Sequence, residues 1–254
     1  MEHYRNYVFD LYGTLVDIST DENDSMLWRR MAELYSRCGA DYSPEALRVA
    51  YQRIGDEERE KLRADTGVFY PEIRLETVFL RLYDEAPSKH RCFVSLRAKK
   101  DRAMWLQMIA ATFRSLSMRR LLLYPRVKDV LTAIRAQGCG IYLLSNAQRL
   151  FTVSELEMLG IQDYFDAIYL SSDYGMAKPE AAFFEYLLNE QGLEKKKTVL
   201  VGNDWSSDML IAAKCGVDGI FLNTGHYSEP EIRAGLPKGR FHIIRTGDLS
   251  ELLN

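Results

Sequence analysis

The residue in this sequence best placed to do chemistry is Asp10, which interrupts a short apolar run at residues 7–11 (YVFDL) and is followed at once by Tyr12-Gly13-Thr14. The run reads as a buried strand, and the glycine marks the tight turn that ends it. Other polar groups stand at comparable junctions: Ser145-Asn146 after GIYLL, Lys178-Pro179 ahead of a helical stretch, and Gly202-Asn203-Asp204-Trp205-Ser206-Ser207-Asp208 after TVLV. A carboxylate is an adequate nucleophile toward phosphorus or an activated carbon, and it splits one difficult displacement into two steps through a covalent intermediate. Ser145 and Lys178 are the kind of hydroxyl and cation that a transferring phosphoryl group needs around its oxygens. Asp204 and Asp208 are four apart where a strand gives way to a helix, so both can face the strand ends. With Asp10 they make a hard-oxygen set of the type magnesium takes. Each residue also has a plainer reading: Asp10 caps its own turn, Lys178 is an exposed lysine before a helix-starting proline, and Asp204 caps a helix whose dipole Asp208 complements. A cap accounts for one aspartate, but not for two with Asp10 beside them.

These residues need strands to hold them. From Tyr124-Pro125 onward helical and strand patterns alternate, with helices expected at 126–136, 150–159, 180–190 and 207–214 and strands at 140–144, 167–170, 198–201 and 219–222. Repeated βα units of this kind build a parallel sheet covered by helices on both faces, with ligands at the C-terminal ends of the strands. Residues 18–121 differ. Their apolar residues recur at helical spacing, as in Met26-Leu27-Trp28 with Met31-Ala32 and Leu34-Tyr35, and strand-like runs are few. The chain therefore divides into a split α/β core, residues 1–17 with 122–254, and a helical domain inserted at 18–121.

The ordered set Asp10, Ser145-Asn146, Lys178-Pro179 and Gly202 to Asp208, opened by FDLYGTLVD, resembles the four motifs of the haloacid dehalogenase-like superfamily. The resemblance covers the core half of the chain, and the insert lies where that family's C1 cap is found (subfamily I). It implies a Rossmann-like doubly wound core in which Asp10 is the nucleophile and Lys178 neutralises both Asp10 and the transferring group. Ser145 would hydrogen-bond that group, with Thr14 and Asn146 beside the substrate. A Mg2+ ion would be held by Asp10, the backbone carbonyl of Tyr12, Asp204 and Asp208. The activity so implied is that of a magnesium-dependent phosphatase, acting on a small phosphorylated metabolite through an aspartyl-phosphate on Asp10.

Two departures bear on that reading. Family phosphatases generally carry Asp-x-Asp in the first motif, the second aspartate serving as general acid and base. Here Tyr12 stands in its place, and a phenol with an ordinary pKa near 10 is a poor proton shuttle at neutral pH. Asp-x-Tyr-Gly-Thr is the look of the metal-independent 2-haloacid dehalogenases, whose halide leaves without a proton. Against that, their fourth motif resembles Ser-x-Asn-x-x-Asp rather than two aspartates four apart. Asn203 is the second departure, standing where many family members have an aspartate, so which of Asn203, Asp204 and Asp208 touch the metal stays open. A dehalogenase is thus the alternative, and a catalytically weak binding or regulatory protein on the same fold is a third.

Composition excludes other classes. With 254 residues, 47% hydrophobic and 27% charged, the chain is that of an ordinary globular protein, and a net charge of -3 offers no basic field for nucleic acid or an anionic membrane. No run approaches the roughly 18 apolar residues of a membrane span, and the start lacks a signal-like segment, so a cytoplasmic monomer or homodimer is expected. Cys38, Cys92, Cys139 and Cys215 are scattered as free thiols would be. His3, His90, His226 and His242 have no metal-like spacing, and Arg97, Lys99, Lys100, Arg102 and Lys195 to Lys197 read as solvated faces. Arg30, Arg63 and Arg74 are the insert's candidate contacts to an anionic substrate, although most arginines lie at surfaces.

Overall fold

The apolar run before Asp10 is apolar throughout because it is buried on both faces, at the centre of a sheet. In the computed structural model, which describes residues 4–90 and 99–253, the chain begins β1 (Asn6–Phe9), β2 (Val16–Thr20), α1 (Ser25–Arg37), β3 (Ala40–Asp41), α2 (Pro44–Thr66) and α3 (Leu75–Asp84). It continues β4 (Ser88–Lys89), α4 (Lys99–Ser117), β5 (Met118–Leu123), α5 (Val127–Ala136), β6 (Gly140–Ser145), α6 (Arg149–Leu159), β7 (Ala167–Leu170) and α7 (Ser171–Tyr174). It ends α8 (Ala181–Glu190), β8 (Thr198–Gly202), α9 (Leu210–Cys215), β9 (Asp218–Leu222), α10 (Glu229–Gly235) and β10 (Phe241–Ile244). Cys92, His3 and Arg97 lie outside the described residues, as do the side chains of Lys99 and Lys100.

The six core strands lie in the order β10-β9-β8-β1-β6-β7 and every pairing is parallel. The chain winds outward from β1 through β6 and β7, then returns to the other side of β1 and winds outward through β8, β9 and β10. The crevice where the direction reverses opens at the C-terminal end of β1, where Asp10 follows. Strand residues alternate between two layers. Phe9, Leu143 and Val201 pack with Val130, Leu131 and Ile134 of α5 and Leu156 of α6. Val8, Leu144 and Leu200 pack with Phe183 and Leu187 of α8 and Ile211 of α9. The expected doubly wound α/β architecture is the one observed.

Helices α1 to α4 bury a separate apolar cluster of Leu27, Trp28, Met31, Tyr35, Val78, Phe79, Trp105 and Phe113, to which the core contributes Phe151 of α6. A ring network runs through it, with Phe113 at 5.9 Å from Trp28, 5.3 Å from Phe79 and 6.3 Å from Phe151. Two antiparallel strands, β2 and β5, join this helical part to the sheet. Sequence periodicity leaves both unassigned for a physical reason. β5 follows α4 without a break, and its Arg119 and Arg120 are exposed, so neither strand shows the apolar alternation of a half-buried strand. The helix expected at 207–214 is also modified, because a wide five-residue turn, Trp205–Met209, precedes α9. Among the described residues no helix is long and apolar enough to cross a membrane, and Cys38, Cys139 and Cys215 are buried thiols.

Candidate active site

Strand register brings the chemically active residues to one edge. Phe9 is level with Leu143 and Val201, and the Asp10 N–H donates to Val201 O at 2.9 Å, so Asp10, Ser145 at the end of β6 and Gly202 at the end of β8 share a rim. The chain then folds back: Leu11 O accepts from the N–H groups of Leu15 at 2.8 Å and Val16 at 2.9 Å. Gly13, at φ +86°, is required twice over, since a Cβ there would stand 2.4 Å from Asn203 Nδ2. Gly202 permits a comparable approach, because its Cβ would meet Asp208 Oδ2 at 2.3 Å.

Asp10 is buried and bonded at both oxygens. Ser145 Oγ donates to Oδ1 at 3.2 Å, Lys178 Nζ donates to the same oxygen at 2.7 Å, and Thr14 Oγ1 lies 3.1 Å from Oδ2. Lys178 Nζ also donates to Asp208 Oδ1 at 2.6 Å, while Asp208 Oδ2 accepts the Asp204 N–H at 3.1 Å. One ammonium thus links two buried carboxylates. Burial alone would lower the lysine's pKa, but the charges of Asp10 and Asp208 outweigh it and the net shift is upward. Burial pushes the Asp208 carboxyl up to about 7, with Lys178 pulling against it and the Asp10 charge adding to it. Asn203 completes the rim: its Oδ1 is 3.2 Å from Thr14 Oγ1, so the hydroxyl has Asp10 and Asn203 as alternative acceptors.

Three of the residues named from sequence point elsewhere. Asp204 is exposed, and its carboxylate caps the turn that follows, accepting from Ser206 N and Ser206 Oγ, both at 2.7 Å. Asp208 and Asn203, rather than Asp204, are the side chains of this loop that approach Asp10. The Asn146 amide brackets the backbone of Lys178, accepting its N–H at 2.7 Å and donating to its carbonyl at 3.0 Å, and so fixes the lysine's position. Tyr12 turns its ring toward α6, where its hydroxyl donates to the buried Glu155 and lies 3.0 Å from Thr152 Oγ1. Burial first, and then the Glu155 charge, push the phenol far above its ordinary pKa, which removes it as a proton shuttle. Thr152, Glu155 and their cation Arg114 were missed from sequence; the signal available was a charged residue on the buried side of α6, three positions after Thr152. In the helical part formed by α1 to α4, Arg30 and Arg63 pair with Glu33 and Glu60 at the surface, while Arg74 lines a cleft of about 410 Å³ with Asp173 and Tyr174.

The residues brought together can do a definite chemistry. Asp10, beside a fixed cation and flanked by two hydroxyls, has the surroundings that a carboxylate nucleophile needs, with donors ready for a transferring group. Asp10, Asp208, the Asn203 amide oxygen and the Tyr12 carbonyl are hard oxygens without a thiol or imidazole among them, which fits a magnesium ion. Among the described residues no three acidic, histidine or cysteine side chains cluster as a metal site. An aspartate so placed at the switch point of a doubly wound α/β sheet can carry a displacement through its carboxylate.

The chain belongs to the haloacid dehalogenase-like hydrolases: the family model matches residues 4–216. It is 25% identical over 153 residues to a glyceraldehyde 3-phosphate phosphatase of Methanothermobacter thermautotrophicus, covering 60% of this chain and 67% of that one. It is 32% identical over 108 residues to the pyrimidine 5'-nucleotidase YjjG of Escherichia coli, covering 42% and 48%. The match thus spans two-thirds of the first relative and about half of the second. Among solved structures, a phosphatase of the family from Thermococcus onnurineus superposes with a TM-score of 0.57 at 18% identity, covering 98% of each chain. That likeness concerns the fold.

Proposed function

We propose that this protein is a magnesium-dependent phosphatase of a small phosphorylated metabolite, working through an aspartyl-phosphate on Asp10. The observation that carries the reading is Asp208. A second carboxylate beside the nucleophile, sharing its lysine at 2.6 Å, suits a site that must hold a divalent cation and a polyanionic substrate together. The names of the curated relatives, both phosphate-ester hydrolases, support it.

An Asp10 oxygen attacks phosphorus as the bond to the substrate's alcohol oxygen breaks, and water then attacks the phosphorus of the aspartyl-phosphate to release inorganic phosphate and restore Asp10. Lys178 and Ser145 stand where they can offset charge on the transferring oxygens. Magnesium, held by Asp10, the Tyr12 carbonyl and Asp208 with Asn203 beside them, would supply further charge neutralisation when bound. Asp204, expected from sequence as a ligand, is assigned the cap instead. Residues 18–121 act as the C1-type lid over the core of residues 1–17 and 122–254, swinging on β2 and β5 to exclude water.

One observation favours a second reading. The engagement of Tyr12 with Glu155 leaves no acid two residues after Asp10, and a 2-haloacid dehalogenase needs none. A panel of phosphate esters with and without magnesium, run beside chloride release from 2-chloropropionate, separates the two. Magnesium-dependent phosphate release with no chloride is expected, and metal-independent chloride release overturns the phosphatase.

A further inference from the structure

We propose that Arg114 and Glu155 are positioning residues that couple the seating of the helical insert to the turn carrying Asp10, with Tyr12 as the link between them. Glu155 belongs to α6 of the core and is 2% exposed. Its cation comes from the other part of the molecule: Arg114 of α4 donates through Nε to Glu155 Oε1 at 2.5 Å and through Nη2 to Oε2 at 3.2 Å, a two-point contact that fixes direction as well as distance. The same guanidinium lies 5.1 Å from the ring centre of Phe151 and 5.9 Å from that of Tyr12. The Tyr12 hydroxyl then donates to Glu155, and Tyr12 lies in the turn whose amides fold back onto Leu11 O. A continuous chain of contacts therefore runs from insert helix to core helix to nucleophile turn.

Its position gives the chain of contacts a purpose. Arg114 lies four residues before β5, one of the two strands that join insert and core, so movement on those strands carries α4 away from α6. That movement strips a buried carboxylate of its cation, which is strongly unfavourable, and leaves it to the hydroxyl of Tyr12. Docking of the insert thus adds a tether at Tyr12 to the backbone bonds that shape the Asp10 turn, and undocking removes it. Tyr12, in the position where the family's phosphatases have a proton shuttle, instead makes the nucleophile's geometry conditional on closure. The coupling holds whichever displacement Asp10 carries out.

The test reads Arg114→Met, Arg114→Lys and Glu155→Gln in the whole chain by amide hydrogen exchange and by kinetics on p-nitrophenyl phosphate. In Arg114→Met and in Glu155→Gln, exchange at Thr14, Leu15 and Val16 is expected to rise about tenfold while Val199 to Val201 of β8 stay protected. In the same variants kcat is expected to fall about tenfold with KM within about threefold, and Arg114→Lys to recover part of both effects. A merely structural pair would lower thermal stability and leave exchange in the turn and kcat per folded molecule unchanged, and that result overturns the coupling. Should Arg114→Met fail to fold, Arg114→Lys gives the reading at smaller amplitude, since it keeps the charge and loses the two-point contact. Faster exchange in the turn, in a protein whose wild type hydrolyses no phosphate ester, would leave the coupling standing and remove the phosphatase.

Discussion

Lys178 Nζ stands 2.6 Å from Asp208 Oδ1 with both side chains 1% exposed, and the same nitrogen lies 2.7 Å from Asp10 Oδ1. Removing the lysine leaves two buried carboxylates facing each other without a cation, a loss worth about 3–5 kcal/mol in comparable buried pairs. Lys178→Met is therefore expected to abolish turnover and to lower unfolding stability by that order. Adding Asp208→Asn to it is expected to restore most of the stability and none of the activity. Urea unfolding of the two variants checks this, and an unchanged midpoint for Lys178→Met would show that the ion pair does not form.

The same pair gives the metal-free protein a pH signature. Asp208 titrates higher in the folded state, near 7, than in an unfolded chain, so the fold holds its proton more tightly than the unfolded state does. Its contribution to stability is therefore fully present below the unfolded value of about 4 and is lost as pH rises toward 7. Asp208→Asn removes that dependence. In EDTA, the difference in melting temperature between pH 5 and pH 8 is expected to be smaller in the variant than in the wild type, and an equal difference would place the titration elsewhere.

Asp204 and Asp208 are four residues apart but do different work, and magnesium should tell them apart. Asp208→Ala removes one of the few hard oxygens beside Asp10, whereas Asp204→Ala removes an exposed cap bonded to Ser206. The first variant is expected to raise the magnesium concentration for half-maximal activity at least about tenfold, and the second to shift it less than about twofold while costing about 1 kcal/mol of stability. Equal shifts in a magnesium titration would return Asp204 to the metal.

That distinction marks where sequence reading stops. Asp10, Ser145, Lys178 and Asp208 were legible because each follows an apolar strand or opens a helix, and the parallel βα pattern forces such junctions to one rim. The direction in which a side chain turns at that rim was not legible. Asp204 and Asp208 are equivalent as spacing, and only the wide turn at Trp205–Met209 aims one inward and the other at Ser206. The Asn146 amide could face substrate or backbone, and the neighbouring Lys178 backbone takes it. Glu155 and Arg114 are 41 residues apart on different parts of the fold, so no local pattern could pair them. β10 also escaped notice, although the helix before it carries a readable start in Ser228 with Glu231 three residues on.

The clearest test of the chemistry lies at Tyr12. Forming an aspartyl-phosphate expels an alkoxide, and hydrolysing it needs a base for water. An aspartate two residues after Asp10 could serve both steps, and such help is typically worth about a hundred- to ten-thousandfold. The Tyr12 phenol, held by Glu155 and pushed far above its ordinary pKa, serves neither. The wild type is therefore expected to favour p-nitrophenyl and acyl phosphates, whose leaving groups depart unprotonated, over simple alkyl phosphates. Tyr12→Asp supplies the missing carboxylate but brings it toward the buried Glu155, so the informative variant is Tyr12→Asp combined with Glu155→Gln, which removes the like charge. Loss of the Tyr12 anchor lowers both rates alike, because both substrates use the same nucleophile turn. The ratio of kcat on an alkyl phosphate to kcat on p-nitrophenyl phosphate thus isolates proton transfer, and it is expected to rise at least about tenfold in the double variant. An unchanged ratio would mean that a proton donor already acts on the leaving group from the insert, and that Tyr12 does not limit the reaction.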